Sequence, residues 1–305
     1  MGTTPAVQRV MVFPHLVTGE VNRATRTLEG VAGKSVNVAK VLHALGEHVV
    51  ALGFVGGERG AFLERCLEAG GIDHDFVHVA PSTRQCITLL DEATGSVTEL
   101  VEESQPVEAQ VYDELLARLG RRLDGSRALV MSGTVATGGP LDLYARATTW
   151  ARAAGTLTVV DASGPALEHA LEAGPEVVKP NRLELAATVG RQLPDEAAVQ
   201  AAMRELGERG ARHVLVTAGR QPTLAFDGRC FWRIAVPTVQ AVNPIGSGDA
   251  FTAALVSRLA RGDDLGEACR WGSAAGAANA LTLLAGEIER ADVERLVAGI
   301  QAERL

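Results

Sequence analysis

The sequence contains few cysteines, and this shortage narrows the kinds of protein it can encode. Only four cysteines occur among 305 residues. They lie far apart and show no paired spacing, which argues against a disulfide framework and against a structural zinc site. A reducing, cytoplasmic environment fits such a chain. The four positions are Cys66, Cys86, Cys230 and Cys269.

Long apolar runs, a basic leader and an excess of positive charge are also missing. No apolar run reaches about 18 residues, the length that signals a membrane-spanning helix. No basic segment followed by an apolar one opens the sequence, so we expect no secretion signal. The formal net charge is −8, so we expect no nucleic-acid partner. An anionic substrate must then be held by a local cluster of basic residues.

What is present is a regular alternation of strands and helices from about residue 126 onwards. Short apolar runs predict buried parallel strands at 128–131, 157–161, 176–179 and 213–217. A helix is predicted over 141–154, and the tail predicts three more at 250–260, 265–284 and 291–302. Strands alternating with helices predict a single α/β domain over 1–305, with a mostly parallel central sheet covered by helices.

Two regions, 6–30 and 76–105, depart from this alternation because they predict strands without crossover helices. Within the second region, the runs 85–90 and 96–101 flank a turn sequence, as in a β-hairpin. The sequence therefore predicts a small β-sheet formed by 6–30 and 76–105. It lies above an α/β core formed by 31–75 and 106–305.

A turn of small residues leads into an apolar helix near the C-terminus. Gly246, Ser247 and Gly248 allow the main chain to turn tightly and direct N–H groups outward, and the helix adds its positive end. Such a turn suits a phosphoryl group, and Asp249 beside it can take a proton from an attacking hydroxyl. The ordinary alternative is a glycine turn followed by an aspartate at a helix start.

Polar residues at two further turns are candidates for the same site. Asn181 and Glu184 stand three apart at a helix start after Pro180, so their side chains share a face. The ordinary alternative is an asparagine turn with a glutamate that stabilises the helix dipole. Lys34 follows a glycine turn and can meet a substrate phosphate as a compact charge; the ordinary alternative is a solvated lysine.

Six segments, taken in order, resemble the signatures of the ribokinase-like sugar kinases, the PfkB family. The similarity is strongest to the branch of the 1-phosphofructokinases and tagatose-6-phosphate kinases. It implies a three-layer ribokinase-like fold with a small β-sheet lid over the sugar. It also implies a homodimer formed through that lid. The segments are 19–24, 32–39, 83–85, 132–134, 179–184 and 242–255.

The resemblance also implies a role for individual residues, with ATP and Mg²⁺ as cofactors. The catalytic set is Asp249 as base, with Gly246, Ser247 and Gly248 as the anion hole. The substrate-binding set is Gln8, Arg23, Gly33, Lys34, Asn37, Arg84 and Ser132. The nucleotide-binding set is Lys179, Thr217, Gly219 and Asn279. Asn181 and Glu184 are implied to hold Mg²⁺, largely through water.

Three departures from the family pattern bear on the substrate. Gln8 stands where the family has an aspartate that binds sugar hydroxyls, and an amide both donates and accepts hydrogen bonds. Ser35 replaces a glycine of the first signature. Only three residues precede Thr4, where the family has a full strand, so either the start lies upstream or the strand is very short. We therefore expect an altered sugar preference.

The function indicated is ATP-dependent phosphorylation of a sugar phosphate. One alternative is a kinase for an unphosphorylated sugar or a nucleoside. Another is a catalytically silent sensor of a sugar phosphate or nucleotide, which Gln8 and Ser35 favour and which an intact Asp249 opposes. A dinucleotide-binding oxidoreductase fits poorly, because no G-x-G-x-x-G motif follows a strand in a suitable βαβ unit.

Overall fold

The fold is built on one large and one small β-sheet, seen here in a computed structural model that describes residues 1–305. The strands are β1 (Ala6–Phe13), β2 (Arg26–Ala32), β3 (Val50–Ala51), β4 (Phe54–Val55), β5 (Asp73–His74), β6 (Val77–His78), β7 (Arg84–Asp91), β8 (Ser96–Val101), β9 (Ala128–Ser132), β10 (Leu157–Asp161), β11 (Val177–Val178), β12 (His213–Ala218), β13 (Gln221–Phe226), β14 (Phe231–Ile234) and β15 (Ala302–Arg304). The helices are α1 (Lys34–Ala44), α2 (Gly57–Ala69), α3 (Ala109–Leu123), α4 (Leu143–Ala153), α5 (Gly164–Glu172), α6 (Arg182–Thr188), α7 (Glu196–Glu208), α8 (Ser247–Leu259), α9 (Leu265–Asn279) and α10 (Arg290–Val297).

The large sheet has seven strands in the order β15-β14-β13-β12-β11-β10-β9. Strands β9 to β12 are parallel, and β12 to β15 are antiparallel. Successive residues of a strand point to opposite faces, so Val159 packs into one core and Val160 into the other. Helices α3 to α7 cover one face, whereas α1, α8, α9 and α10 cover the other. The three-layer fold and its mostly parallel sheet are confirmed.

The small sheet has four strands in the order β2-β1-β7-β8, and it stands apart from the large one. Its hairpin β7–β8 pairs Cys86 with Val101 and Asp91 with Ser96, so the predicted hairpin is confirmed. Apolar residues on one face of this sheet pack against Leu283 and Leu284 in the segment after α9. That contact fixes the small sheet above the end of the core that carries the polar residues.

Several element bounds differ from the sequence predictions. Helix α9 ends at Asn279 rather than 284, because the Thr282 hydroxyl and the Asn279 side chain form hydrogen bonds that hold the segment after the helix as turns. Helix α10 ends at Val297 rather than 302, and β15, of which only Ala302 falls within the predicted helix, pairs with β14 at the sheet edge. Strand β6 lies in the range predicted for the small sheet but pairs with β4. None of the ten helices is long and apolar enough to span a bilayer.

Residues 1–3 lie between the large sheet and the segment after β3. Gly2 N donates to Leu52 O at 3.0 Å, and Ser132 N donates to Met1 O at 3.1 Å. Beside them, between β3 and β9, lies a cavity of about 510 Å³ with a mostly apolar lining. None of the residues with a predicted role lines this cavity, so it is not the candidate site although it is the larger one.

Gly286 is the point at which the segment after α9 touches α1. Its φ is 72°, and a Cβ added there would lie 2.7 Å from Asn37 Cα. Gly138 has almost the same φ, 73°, but no atom within 4 Å of an added Cβ. Alanine substitutions at the two glycines therefore separate two free-energy costs, that of the left-handed backbone and that of the close contact with α1.

We expect Gly138→Ala to lower the free energy of unfolding by about 1 kcal/mol, the strain of a left-handed alanine. Gly286→Ala should cost about 1–3 kcal/mol more, because the added methyl group displaces α1. Urea unfolding of both variants measures the difference. Equal losses in the two variants would show that the segment after α9 can shift away from α1 freely.

Candidate active site

A polar cleft of about 380 Å³ lies between the small sheet and the carboxyl ends of the parallel strands. Ligands of open α/β sheets bind at this edge, because the loops that follow the strands meet there. Most of the residues with predicted roles line it: Gln8, Gly33, Lys34, Asn37, Arg84, Lys179, Asn181, Glu184, Thr217, Gly246, Gly248 and Asp249.

Five predicted residues lie outside the cleft lining, namely Arg23, Ser132, Gly219, Ser247 and Asn279. Arg23 is exposed on the segment between β1 and β2. Gly219 is exposed in the turn between β12 and β13, whereas Thr217 just before it does line the cleft. Ser132 is buried at the end of β9, where its Oγ has no hydrogen-bond partner. The structure thus does not bring Arg23, Ser132 or Gly219 together with the residues that line the cleft.

Asn279 is part of the framework behind the cleft rather than of its lining. It is completely buried, its Nδ2 donates to Ile245 O at 2.8 Å, and its Oδ1 accepts from Gly286 N at 2.8 Å. Both ends of the amide are therefore occupied by main-chain groups. Asn279 thereby fixes the chain that leads into the glycine turn.

The glycine turn and the start of α8 form an anion site. Gly246 has φ of 85° and lies so close to Ala285 that a Cβ would meet the Ala285 Cβ at 2.9 Å. Helix α8 then begins at Ser247, whose hydroxyl lies behind the turn near Asn279. The N–H groups of Gly248 and Asp249 have no main-chain acceptor, as expected in a first helical turn. These donors and the helix dipole favour a bound phosphoryl group.

Asp249 is a buried carboxylate at this helix start. Its Oδ2 accepts a hydrogen bond from Asn37 Nδ2 at 2.7 Å. Burial, together with the negative charge of Asp161, raises the pKa of Asp249 to about 7, so the carboxyl can hold or release a proton near neutral pH. The Oδ1 of Asn37 is buried beside Asp249 without a hydrogen-bond partner.

Asp161 is a site residue that the sequence analysis missed. It ends β10 and is 1% exposed, and its carboxylate accepts from Lys34 at 3.2 Å, Lys179 at 3.0 Å and Thr252 at 2.8 Å. Burial alone would raise its pKa, but the two lysines lower the pKa of Asp161 to about 2. One signal was available: Asp161 and Lys179 both lie at the carboxyl ends of neighbouring predicted strands.

Asn181 and Glu184 form a reciprocal cap at the start of α6. Asn181 Oδ1 accepts from Glu184 N at 2.9 Å, and Asn181 N donates to Glu184 Oε2 at 2.8 Å. The other glutamate oxygen faces Lys34 at 3.3 Å. No group of three acidic, histidine or cysteine side chains is arranged as a metal site. A carboxylate open to the cleft nevertheless suits Mg²⁺, which keeps most of its water and binds through one or two carboxylates plus phosphate oxygens.

The small sheet contributes Gln8 and Arg84 to the cleft. Gln8 is 1% exposed; its Nε2 donates to Thr88 Oγ1 at 3.0 Å and its Oε1 accepts from Ala285 N at 3.1 Å. Arg84 donates from Nε to Thr4 O at 3.2 Å, and from Nη1 to Glu102 O at 3.4 Å. Gln8 therefore ties the small sheet to the segment after α9, while the charge of Arg84 has no carboxylate bonded to it.

The sequence profile described as pfkB family carbohydrate kinase matches residues 5–290. The chain belongs to the pfkB family. It is therefore an ATP-dependent carbohydrate kinase, as the resemblance of its motifs indicated.

Solved structures agree with this assignment. Phosphofructokinase-2 from Escherichia coli in complex with fructose-6-phosphate matches with a TM-score of 0.87 and 28% identity, over 97% of this kinase and 96% of that chain. A possible 1-phosphofructokinase from Thermotoga maritima matches with a TM-score of 0.91 and 24% identity, over 99% and 98%. Ribokinase from Arabidopsis thaliana complexed with ribose and ATP matches with 0.76 and 19%, over 97% of each. The last two show the shared fold.

The charges around Asp249 predict a pH profile for the kinase. Because the carboxyl must be ionised to accept a proton, kcat/KM should rise with pH through an apparent pKa of about 7. Asp161→Asn removes the negative charge that raises this pKa, so the rising limb should move to lower pH even though the rate falls.

The control is Asp113→Asn, which removes an exposed carboxylate on α3 and should leave the profile where it is. Profiles of kcat/KM measured from pH 5 to 9 for the three proteins test the prediction. A limb that stays in place in Asp161→Asn would show that burial alone sets the pKa of Asp249.

Proposed function

We propose that the kinase transfers a phosphoryl group from ATP to a hydroxyl of a sugar phosphate, with Asp249 as the base. The observation that carries the proposal is the placement of Asp249. Its buried carboxylate, with a pKa raised to about 7, stands at the start of α8 beside N–H groups that have no main-chain acceptor. A proton acceptor and an anion site in direct contact are what transfer to an alcohol requires.

The residues of the cleft divide the work of the reaction. The attacking hydroxyl donates its proton to Asp249, and Asn37 holds that carboxylate in place through its Nδ2. The start of α8 offers the N–H groups of Gly248 and Asp249 to the oxygens of the group in transfer. The products are ADP and a phosphate ester. Mg²⁺, when bound, neutralises phosphate charge, and Asn181 and Glu184 would hold it through water.

A phosphorylated acceptor is supported by the position of Arg84. Arg84 lines the cleft from the small sheet, and no carboxylate is bonded to its guanidinium. A planar guanidinium suits bidentate binding of phosphate. The E. coli neighbour, 28% identical, was crystallised with fructose-6-phosphate, which favours the hexose-phosphate branch of the family over sugars without phosphate.

We propose further that the small sheet acts as a lid and that two chains associate through it. Strand β8 lies at the edge of the sheet, and its apolar residues Leu100 and Val101 are about half exposed, at 51% and 48%. An edge strand with exposed apolar side chains is a ready partner for a second strand. Association through β8 would pair the edges of two small sheets above their clefts.

The function is tested by ADP formation on matched acceptors. We expect turnover with fructose 1-phosphate, fructose 6-phosphate or tagatose 6-phosphate, and weaker turnover with the corresponding free sugars. Asp249→Asn should lower kcat by roughly 10²–10⁴, the usual effect of losing a general base, while ATP binding and the melting temperature are kept. Substrate binding without ADP formation by the unaltered protein would favour a silent sensor instead.

The metal assignment is tested by the Mg²⁺ concentration that gives half-maximal rate. Glu184→Gln should raise it by about 10–100-fold, the usual loss for a residue that acts through bound water. Glu267→Gln is a matched control, because Glu267 occupies the same position in the first turn of α9, capped by Asp264 and remote from the cleft. An equal effect in both variants would make Glu184 a helix-start residue only.

A further inference from the structure

Lys34 points to the floor of the cleft rather than to the small sheet. Its Nζ lies 3.2 Å from Asp161 Oδ1 and 3.3 Å from Glu184 Oε1, at the carboxyl edge of the large sheet. The sequence had suggested that Lys34 binds the phosphate of the substrate. In the structure, the cation that the small sheet contributes to the cleft is Arg84, which donates hydrogen bonds to Thr4 O and Glu102 O.

Lys34 shares Asp161 with a second lysine. Lys179 binds the other oxygen of the same carboxylate at 3.0 Å, and its Nζ lies 3.7 Å from where a Cβ on Gly248 would stand. Lys179 is therefore next to the glycine turn. Through Asp161, Lys34 is held on the same floor, within electrostatic range of Asp249, and no acceptor-side residue contacts its ammonium group.

The hydrogen bonds of Lys34 leave it able to bind a further anion. A lysine ammonium has three donors, and Asp161 and Glu184 take two of them. The side chain is 36% exposed, whereas Lys179 is 4% exposed. The cleft floor thus presents one accessible lysine ammonium near the anion site.

We propose that Lys34 binds the phosphoryl group in transfer, and not the phosphate of the sugar. The inference rests on the proposed kinase function. It makes Lys34 a catalytic residue and Asp161 the positioning residue that holds it against the cleft floor. A fixed cation that faces the γ-phosphate stabilises the charge that develops during transfer, and it distinguishes ATP from ADP. Arg84 is then the cation that binds the phosphate of the sugar.

The two roles predict different losses in Lys34→Met and Arg84→Met. Lys34→Met should weaken ATP binding about tenfold, equivalent to about 1.4 kcal/mol for one lost charged contact, while ADP binding changes less than about twofold. The kcat of Lys34→Met should fall by similar factors with the two acceptors, fructose 6-phosphate and fructose. Arg84→Met should instead raise KM for fructose 6-phosphate and leave the ratio of ATP to ADP affinity unchanged.

Calorimetric titration with ATP and with ADP, both with Mg²⁺, decides the question without relying on turnover. Lys34→Arg keeps the charge and should restore most of the preference for ATP. If Lys34 had only a structural role, the ratio of ATP to ADP affinity would be the same in Lys34→Met and Lys34→Arg. If Lys34→Met does not fold, Lys34→Gln takes its place. Equal weakening of ATP and ADP, or a rise in KM confined to fructose 6-phosphate, would overturn the proposal. Absence of turnover on every acceptor, with the ATP preference lost as expected, would count against the kinase function alone.

Discussion

The arrangement of the cleft depends on one buried carboxylate, Asp161. Lys34 and Lys179 both lie beside this carboxylate. Without it, their positive charges would repel each other, and each would lose hydration on the cleft floor without compensation. Asp161 compensates both charges, and its bond to Thr252 fixes α8 to the end of β10. Burial, together with the same negative charge, raises the pKa of Asp249 and keeps it partly protonated. Two acids of the same type thereby acquire opposite behaviour, one permanently ionised and one close to its titration point.

A second constraint is the segment between α9 and α10, which connects three parts of the molecule. Ala285 N binds Gln8 on the small sheet, Gly286 packs against α1, and Asn279 joins Gly286 to the chain before the glycine turn. Lys40 from α1 adds a bond to Ala285 O at 2.7 Å. The small sheet, Asp249 and the glycine turn are thus held relative to one another through main-chain groups. The positions of these groups change little when side chains move.

The sequence predicted well whatever depends on local patterns. Buried parallel strands, the hairpin at 85–101 and the glycine turn before α8 each carry their own signal, so their positions could be derived without the fold. The end of α9 at Asn279 could not be predicted, because it depends on hydrogen bonds that the side chains of Asn279 and Thr282 make within the following segment. Asp161 was missed because its importance depends on lysines 127 and 18 residues away in the chain.

The two hydrogen bonds of Gln8 have a mechanical consequence for the small sheet. The bond to Thr88 joins β1 to β7 within the small sheet, and the bond from Ala285 N joins the same side chain to the core. The apolar contact of Leu283 and Leu284 with Val10, Val12, Leu90 and Val97 continues this attachment to the start of the β7–β8 turn. The two central strands are therefore attached along much of their length to the segment between α9 and α10. A displacement of these strands would carry that segment along, so the small sheet and the support behind the glycine turn are mechanically one unit.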